Sequence, residues 1–284
     1  KLIPGTLSVI SVRCDYLSVD LDHSIKALEK ADIAYVSRYA LGRDYHKVLR
    51  SKLKKLANSI QDHVGSLGYR VFTDSAPVLE RALARNSGLG WIGKNTNLIS
   101  KKDGSMFFLG EIFTDILLEP SKVAPKNHCG TCRECIDICP TKAIIAPYQL
   151  DANRCISYLT IESKKSIPVE FRKSIGNRIF GCDDCQLFCP WNKYAKLTAV
   201  TDFTPRHGLE NTKLTDLFLL DEAEFEKMTI GSAIRRVSYP QWIRNLAIAL
   251  GNAPTSPEVL QALEKRLTFP DEMVLEHVNW AILE

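Results

Sequence analysis

The spacing of hydrophobic positions divides the chain into a first part that alternates between strand and helix patterns and a last part that is helical throughout. In the first part, the β-rich runs at residues 7–14 and 69–73 predict strands. Between them, an amphipathic helix beginning at Asp44 is predicted from apolar residues at three- and four-residue spacing: Val48, Leu49, Leu53, Leu56, Ile60 and Val64. Residues 1–121 are therefore expected to form an α/β domain.

Cap and turn residues predict further boundaries within this domain. Ser75 as an N-cap, Pro77 in the first turn and Gly88 near the stop delimit a second helix. Residues 101–105, with the sequence Lys-Lys-Asp-Gly-Ser, predict a hairpin turn between strands at 97–100 and 106–118.

From residue 201 onward the pattern is helical. Helix faces are predicted from a periodic set of apolar residues: Trp242, Leu246, Leu250, Val259, Leu263 and Leu267. Breaks at residues 251–254 and at Pro270 separate the helices, which predicts a small HEAT-like helical repeat over residues 201–284. A linker is predicted at residues 120–125, so that a separate domain occupies residues 122–200.

The composition indicates a globular protein large enough for two or three domains, with 284 residues, 45% hydrophobic and 25% charged. The formal charge of +4 is unevenly distributed. Residues 122–200 contain 12 Lys and Arg against 7 Asp and Glu, and residues 201–284 contain 8 against 13.

No signal peptide and no apolar run of membrane-spanning length is present, which predicts a cytoplasmic protein without a membrane partner. Because Lys1 is not Met and Glu284 lies inside a helical pattern, both ends are expected to be cut.

Cysteine spacing provides the strongest chemical signal. Two bursts have the form C-x2-C-x2-C-x3-C-P at residues 129–140 and C-x2-C-x3-C-P at residues 182–190, with Cys155 alone between them. In bacterial two-cluster ferredoxins, three cysteines of the longer run bind one 4Fe-4S cluster and the fourth binds the other. The spacing predicts a ferredoxin-like domain with two 4Fe-4S clusters over residues 122–200.

Eight of the nine cysteines can be divided between the two clusters. The first cluster is assigned Cys129, Cys132, Cys135 and Cys189. The second cluster is assigned Cys139, Cys155, Cys182 and Cys185, with Cys155 supplying the position that the second burst lacks. Disulfides, which need an oxidising compartment, and zinc, which favours two separated cysteine pairs, are the alternatives. Cys14 is expected to be a small buried hydrophobic residue of the first strand.

The segment Gly-Leu-Gly-Trp-Ile-Gly-Lys-Asn at residues 88–95 matches two nucleotide-binding patterns poorly. As G-x-G-x-x-G it follows a predicted helix instead of a strand, and as G-x4-G-K-[ST] it has Asn95 where magnesium needs a hydroxyl. A nucleotide loop and a plain helix stop both stay open. The third interpretation is a loop that brings backbone and the Trp91 ring against a large flat cofactor.

Several motifs together resemble the epoxyqueuosine reductase family, the cobalamin-dependent enzymes of tRNA modification. They occur in order along most of the chain: residues 38–46, 73–77 and 90–95, both cysteine bursts, residues 154–158, Arg244-Asn245 and residues 250–252. The resemblance implies that residues 1–121 form a cobalamin-binding catalytic domain. The family has a further segment ahead of Lys1, so this domain is expected to be truncated at its N-terminus.

The resemblance implies reduction of epoxyqueuosine to queuosine at the wobble position of tRNA, which takes two electrons and two protons and releases water. Its cofactors would be cobalamin and two 4Fe-4S clusters, and its partners a tRNA carrying epoxyqueuosine and an external low-potential electron donor. No D-x-H-x-x-G run occurs among the 6 histidines, so a base-off cobalamin is expected. The protein is expected to be a monomer.

The resemblance also implies site residues. Asp74 would donate a proton to the departing epoxide oxygen; its alternative role is to cap the following helix. That helix would lower the pKa of Asp74, whereas burial beside a corrin would raise it, and only burial gives an acid protonated near neutral pH. Contacts with cobalamin are expected from Arg38, Trp91, Gly93, Lys94, Asn95, Asn97, Ser157, Asp183 and Asp184.

A basic stretch follows the first cysteine burst and consists of Lys164, Lys165, Arg172, Lys173 and Arg178. Such a stretch is usually a solvated helix face, but a tRNA substrate would make phosphate contacts plausible here.

Two other functions stay open. One is a corrinoid reductase of small molecules, such as a dehalogenase, and the other is an electron carrier without a substrate site.

Overall fold

The computed structural model describes residues 3–121 and 125–284, so the expected linker lies partly outside the described residues. The strands are β1 (Ser8–Asp15), β2 (Tyr35–Val36), β3 (Tyr69–Phe72), β4 (Trp91–Ile92), β5 (Leu98–Ile99), β6 (Phe107–Thr114), β7 (Ile144–Ala146), β8 (Gln149–Leu150) and β9 (Arg178–Phe180). The helices are α1 (Leu21–Glu29), α2 (Tyr45–Val64), α3 (Glu80–Asn86), α4 (Glu134–Ile138), α5 (Ile156–Ile161), α6 (Val169–Ile175), α7 (Asp184–Leu187), α8 (Leu214–Leu219), α9 (Glu222–Met228), α10 (Tyr239–Asn252), α11 (Pro257–Glu264) and α12 (Glu272–Leu283).

The largest sheet has three antiparallel strands in the order β1-β6-β3. Asp15 of β1 pairs with Phe107 of β6, and Tyr69 of β3 pairs with Thr114 at the other end of β6. The strands expected at residues 7–14 and 69–73 and the helix expected from Asp44 are confirmed within one residue. Asp44 is the N-cap of α2, because its carboxylate accepts a hydrogen bond from the backbone N–H of His46.

The two faces of this sheet are covered by different helices. Leu53 and Ala57 of α2 pack against Ile112 on one face. On the other face, Ala84 of α3 packs against Phe107 and its neighbours. Each face of the central strand is therefore buried under a helix.

The second helix begins later than the sequence predicts, and Ser75 is not its N-cap. α3 starts at Glu80 after Leu79, which makes no side-chain cap. Ser75 instead lies in a tight turn, in which its backbone N–H bonds to the carbonyl of Thr73. Asp74 has φ +54° in this turn, a left-handed conformation incompatible with the first turn of a helix. The carboxylate of Asp74 does not cap the helix either.

The expected hairpin around residues 101–105 is also wrong. β5 pairs with β4, while β6 pairs with β1 and β3, so only Ser100 and Gly104 form an isolated bridge. The turn is held by a distant segment, because the backbone N–H of Ser105 donates to Oδ1 of Asn192 at 2.6 Å. This contact directs the chain away from β5.

The segment that carries the cysteines is tied to the rest of the chain by a parallel strand pair. β2 pairs with β9, just ahead of the second cysteine burst. Buried Asp183 accepts hydrogen bonds from the hydroxyl groups of Tyr35, at 2.8 Å, and Ser37. The backbone N–H of Arg38 also donates to Asp183 at 2.8 Å. Packing is therefore continuous across the predicted boundary near residue 121.

The C-terminal part consists of α8 to α12, as the helical pattern predicts. Trp242, Leu246 and Leu250 of α10 are buried, whereas Leu267 lies beyond the end of α11 and is 43% exposed. Buried Asn245 donates from Nδ2 to the carbonyls of Thr160 and Ile179, at 2.8 and 2.9 Å. α10 thus supports the backbone that follows Cys155 and the backbone that precedes Cys182. No helix in the described parts of the chain has the length and apolar character needed to cross a membrane.

Candidate active site and cysteine centres

The structure brings the cysteines together in the two sets of four that the sequence predicts. The first set lines one cavity and consists of Cys129, Cys132, Cys135 and Cys189. The second set lines another cavity and consists of Cys139, Cys155, Cys182 and Cys185. Among the described residues, no three His, Cys, Asp or Glu side chains are close enough to hold a single metal ion.

Burial weakens the acidity of several thiols in both sets. Burial raises the pKa of Cys135 to about 11, and Cys189, Cys129 and Cys132 add to this effect. In the second set, burial raises the pKa of Cys182 and of Cys185 well above the usual range. Binding of an iron–sulfur cluster would therefore have to displace thiol protons.

The loop between β4 and β5 lies against the first set of cysteines. Trp91 is buried, and its Nε1–H points to Sγ of Cys129 at 3.5 Å. Lys94 donates from Nζ to the carbonyls of Gly130 and Cys132, at 2.6 and 2.8 Å. These side chains were expected at the cobalamin, but their contacts are with the cysteine loop.

The loop packs closely around Gly93. A Cβ atom at Gly93 would contact the side chain of Ile99 and Oδ1 of Asn95, the latter at 2.9 Å. Asn95 donates from Nδ2 to the carbonyl of Cys185 at 3.0 Å and lines both cysteine cavities. The loop therefore positions the two sets of cysteines relative to each other.

A cavity of about 670 Å³, here called the Asp74 cavity, opens beside the second set of cysteines. Its lining residues include Tyr45, His46, Asp74, Arg81, Cys155, Ser157 and Arg236. An adjoining cavity of about 390 Å³ shares Tyr39, Tyr45, Asp74 and Arg81 with it. Because Cys155 and Ser157 also line the second cysteine cavity, the two spaces have a common wall.

Asp74 is held by the first turn of α2. Its carboxylate accepts a hydrogen bond from the hydroxyl of Tyr45 and lies 3.4 Å from Nε2 of His46. The other ring nitrogen of His46, Nδ1, is 2.8 Å from the carboxylate of Asp44. Tyr45 stacks on Phe108 with 4.2 Å between ring centroids, which fixes the direction of its hydroxyl. The imidazole is therefore placed between two carboxylates.

These contacts favour the ionised form of the Asp74 carboxyl group. The hydrogen bond from His46 lowers the pKa of Asp74, and burial opposes this effect without reversing it. Conversely, hydrogen bonds to Asp44 and then to Asp74 raise the pKa of His46 to about 9. At neutral pH the proton of this group is on the imidazole, and Asp74 is a carboxylate.

The other expected cofactor residues are distributed unevenly. Asn97 and Ser157 line the cavities next to Asp74. Asp184 lines the second cysteine cavity, where Nη2 of Arg178 pairs with its carboxylate at 2.5 Å. Asp183 is buried in the contacts to β2 and does not line the Asp74 cavity.

Arg38 is also away from the Asp74 cavity. Its guanidinium lies 4.3 Å from the centroid of the Tyr35 ring and is 1% exposed. Its three guanidinium nitrogens make no hydrogen bond to the described residues.

Arg81 is a site residue that the sequence-based prediction missed. It lines the Asp74 cavity, the adjoining cavity and the second cysteine cavity, and its Nη1 donates to the carbonyl of Thr96 at 2.6 Å. A cation in the first turn of a helix opposes the helix dipole, and such a breach of a local rule is a signal of function. That signal depended on knowing that α3 begins at Glu80.

The basic stretch does not form one surface. Arg172 is buried and pairs with Glu276, and Arg178 pairs with Asp184. Lys173 pairs with Glu284 at 2.6 Å. Lys164 instead joins Arg235 and Arg236 at the rim of an open cavity of about 490 Å³.

The raised pKa of His46 predicts a pH-dependent stability. A histidine whose pKa is raised from 6.5 to about 9 contributes stability that is complete below pH 6.5 and is lost as the pH rises through about 9. We expect His46→Gln to remove about 1–2 kcal/mol at pH 6, or several degrees in Tm, and little at pH 10. Anaerobic thermal denaturation across this range measures the effect. His63→Gln, on the exposed end of the same helix, is the control, and an equal loss at both pH values would contradict the prediction.

Family models match two parts of the chain. A 4Fe-4S double cluster binding domain matches residues 128–192, and the family described as "Epoxyqueuosine reductase QueG, DUF1730" matches residues 1–75. The chain is 58% identical over 284 residues to the epoxyqueuosine reductase of Xanthomonas campestris pv. campestris, covering 100% of this chain and 80% of the relative. It is 56% identical over 282 residues to that of Pseudomonas aeruginosa, covering 99% of this chain and 78% of the relative.

Solved structures are similar over the same length. The epoxyqueuosine reductase of Bacillus subtilis, with its catalytic Asp loop swung out of the active site, matches with a TM-score of 0.84 at 30% identity, covering 99% of this chain and 74% of that chain. An epoxyqueuosine reductase with an epoxyqueuosine-modified stem loop of a tyrosine tRNA matches with a TM-score of 0.79 at 27% identity, covering 99% and 83%.

Proposed function

The chain belongs to the epoxyqueuosine reductase family, and we propose that the Asp74 cavity is where it reduces its substrate. The reaction converts the epoxide of epoxyqueuosine in tRNA into the alkene of queuosine, using two electrons and two protons and releasing the oxygen as water. Family membership decides against the two open alternatives, a small-molecule corrinoid reductase and a simple electron carrier.

The electrons would come from two 4Fe-4S clusters. The chain has a 4Fe-4S double cluster binding domain. We assign the first set of four cysteines to one cluster and the second set to the other, and the two separate cavities support this division. Because Cys155 lines both the second cysteine cavity and the Asp74 cavity, the second cluster would be the one that delivers electrons to the substrate. This shared wall is the observation on which the proposal rests.

The residues around Asp74 fit a bound cobalamin. When bound, this cofactor supplies a strongly nucleophilic reduced cobalt for opening the epoxide. Tyr39, Asn97 and Ser157 would line its site, together with Arg81. The one histidine among the lining residues, His46, is engaged at both ring nitrogens by carboxylates, so no free imidazole is offered to cobalt. A base-off cobalamin without a histidine ligand is consistent with this arrangement.

The same residues supply the proton for the leaving oxygen. Asp74 lines the cavity as a carboxylate, and His46 holds a proton beside it below about pH 9. Transfer of that proton through Asp74, or onto Asp74 as charge develops on the oxygen, would provide the acid that epoxide opening needs. The hydroxyl of Tyr45 donates to the same carboxylate and keeps it directed into the cavity.

Cobalamin binding can be tested directly by spectroscopy. We expect stoichiometric binding with the nucleotide base away from cobalt, so that electron paramagnetic resonance of the Co(II) form shows no nitrogen superhyperfine splitting. His46→Gln is the matched control and should leave the spectrum unchanged, because His46 is not a ligand. Nitrogen splitting, or failure to bind any corrinoid, would contradict the proposal.

Phosphates of the tRNA have a plausible site next to the Asp74 cavity. Lys164, Arg235 and Arg236 line the open cavity of about 490 Å³, and Arg236 also lines the Asp74 cavity. Basic side chains that contact phosphates position an RNA without reading its sequence. We infer that this rim, at the N-terminus of α10 in the HEAT-like helical part, holds the RNA backbone while the modified base enters the Asp74 cavity.

Neutralising the rim should therefore weaken RNA binding more than chemistry. For Lys164→Ala combined with Arg235→Ala, we expect weaker binding of the anticodon stem-loop and a salt dependence reduced by about one counterion for each lost contact. The rate at saturating stem-loop should change much less. Lys173→Ala is the control, because Lys173 pairs with Glu284 away from the rim. An unchanged salt dependence would remove the rim from the RNA interface.

A further inference from the structure

A buried carboxyl group lies beneath the Asp74 turn. Glu111 is in the middle of the central strand β6 and is 0% exposed. Its cross-strand neighbours are Ser11 on β1 and Phe72 on β3. An ionised carboxylate in such a position needs a cation or several hydrogen-bond donors.

Neither kind of partner is available to Glu111. Both of its carboxyl oxygens lack a hydrogen-bond donor among the described residues. The nearby cations are engaged elsewhere: Arg13 of β1 pairs with Asp103 at 2.6 Å, and Arg70 of β3 lies over the Phe72 ring at 5.0 Å. The titratable group that faces Glu111 from the covering helix is another acid, Glu80 of α3.

Two facing acids in a buried site cannot both be ionised. Burial and then the charge of Glu80 raise the pKa of Glu111 to about 9, so Glu111 keeps its proton at neutral pH. Burial also raises the pKa of Glu80, and the two carboxyl groups are hydrogen-bonded to each other through this proton.

Glu80 also accepts a hydrogen bond from the turn that contains Asp74. Its Oε1 accepts a hydrogen bond from the backbone N–H of Asp74. Asp74 has φ +54°, a conformation that costs a non-glycine residue energy and persists only where surrounding contacts enforce it. The contact with Glu80 holds the backbone of Asp74, whereas Tyr45 and His46 contact its side chain.

We propose that Glu111 and Glu80 are positioning residues, in which buried Glu111, facing Glu80, orients the Glu80 carboxyl group so that its Oε1 holds the backbone N–H of Asp74. The inference rests on the proposed role of Asp74. It gives a reason for an acid in the core of the sheet that stability alone does not provide, since an apolar side chain there would avoid the cost of desolvation. A structure of the Bacillus subtilis relative has its catalytic Asp loop swung out of the active site, so a catalytic Asp loop of this family can leave its site.

The test distinguishes the effect of the hydrogen-bond acceptor at residue 80 from the effect of the size of its side chain. Glu80→Met keeps the size of the side chain but cannot accept a hydrogen bond, whereas Glu80→Gln keeps an acceptor oxygen. For Glu80→Met we expect kcat for the stem-loop to fall about tenfold or more, KM to stay within about twofold, and the peptide containing residues 73–79 to lose protection in hydrogen–deuterium exchange. Glu80→Gln should restore both kcat and protection.

Glu111→Gln provides the second arm. Its amide can donate to Glu80 as the neutral acid does, so near-normal kcat and protection are expected, whereas Glu111→Ala should resemble Glu80→Met. Wild-type kcat and protection in Glu80→Met, or no rescue by Glu80→Gln, would overturn the inference. A failed role for Asp74 would be seen separately, as normal turnover in Asp74→Asn, even if the exchange results were as expected.

Discussion

Replacing Asp74 by Asn is expected to lower turnover of an epoxyqueuosine-bearing stem-loop by about two orders of magnitude or more. Asn keeps the size of the side chain and can still accept hydrogen bonds from Tyr45 and the imidazole, but it can neither take up nor release a proton. The loss of the carboxylate also removes one of the two groups that raise the pKa of His46. Single-turnover rates measured under saturating reductant report the change, while iron and cobalamin content should match the wild type.

Ser75→Ala is the matched control for this experiment. Ser75 follows Asp74 in the same turn and also lines the Asp74 cavity, but it has no proposed part in proton transfer. We expect it to retain most of the wild-type rate. If Asp74→Asn turned over at a near-normal rate, the proton would have to come from another group, and His46 acting alone would be the first to examine.

Replacing Cys155 by Ala is expected to abolish turnover while sparing half of the metal. Two 4Fe-4S clusters contain about eight irons and eight sulfides, so anaerobic Cys155→Ala protein should hold about four of each. The lost cluster would be the one that adjoins the Asp74 cavity, which is why activity should not survive. Iron and sulfide analysis, with electron paramagnetic resonance of the reduced protein, measures the outcome.

Cys14→Ala is the control, because Cys14 lies on β1 and belongs to neither set of four. It should keep about eight irons. A full complement of iron in Cys155→Ala would exclude Cys155 as a ligand, and loss of nearly all iron would show that the two clusters do not assemble independently.

Local patterns were sufficient for part of the fold. The strand at residues 7–14 and the helix beginning at Asp44 are predicted from the spacing of neighbouring residues, and both are present in the structure. The division of the cysteines into two sets also follows from spacing, because the position of Cys155 between the bursts supplies the fourth member of the second set.

Where the sequence-based prediction was wrong, a contact with a residue far away in the sequence determines the local structure. Asn192, far along the chain, holds the turn that was expected to be a hairpin. Because Asp74 has a left-handed conformation, α3 begins only after Ser75. The backbone N–H of Asp74 is held by Glu80, which lies on α3. The main cause of the lowered Asp74 pKa is the hydrogen bond with His46 on α2, a contact that the position of Asp74 in the sequence does not indicate.

The environment of buried Glu111 could not be predicted from the sequence either. Its place in the strand pattern gives no indication that its neighbour across the interior is a second acid. Only the packing of α3 on the sheet brings Glu80 to it. The strand alternation predicts which face a residue occupies, but the chemistry of the facing helix is a tertiary property.

The contact between Tyr35 and Asp183 has a consequence for how the protein is made. These residues are separated by 148 positions, and their hydrogen bond lies beside the short parallel pairing of β2 with β9. Contacts across such a separation form late in folding, because closing a long loop has an entropic cost that local contacts do not have. The loop that carries Cys182 and Cys185 would then reach its final position only after most of the polypeptide has been synthesised. Loading of both iron–sulfur centres is accordingly expected late in synthesis or after it, because Cys189 of the first set directly follows the same loop.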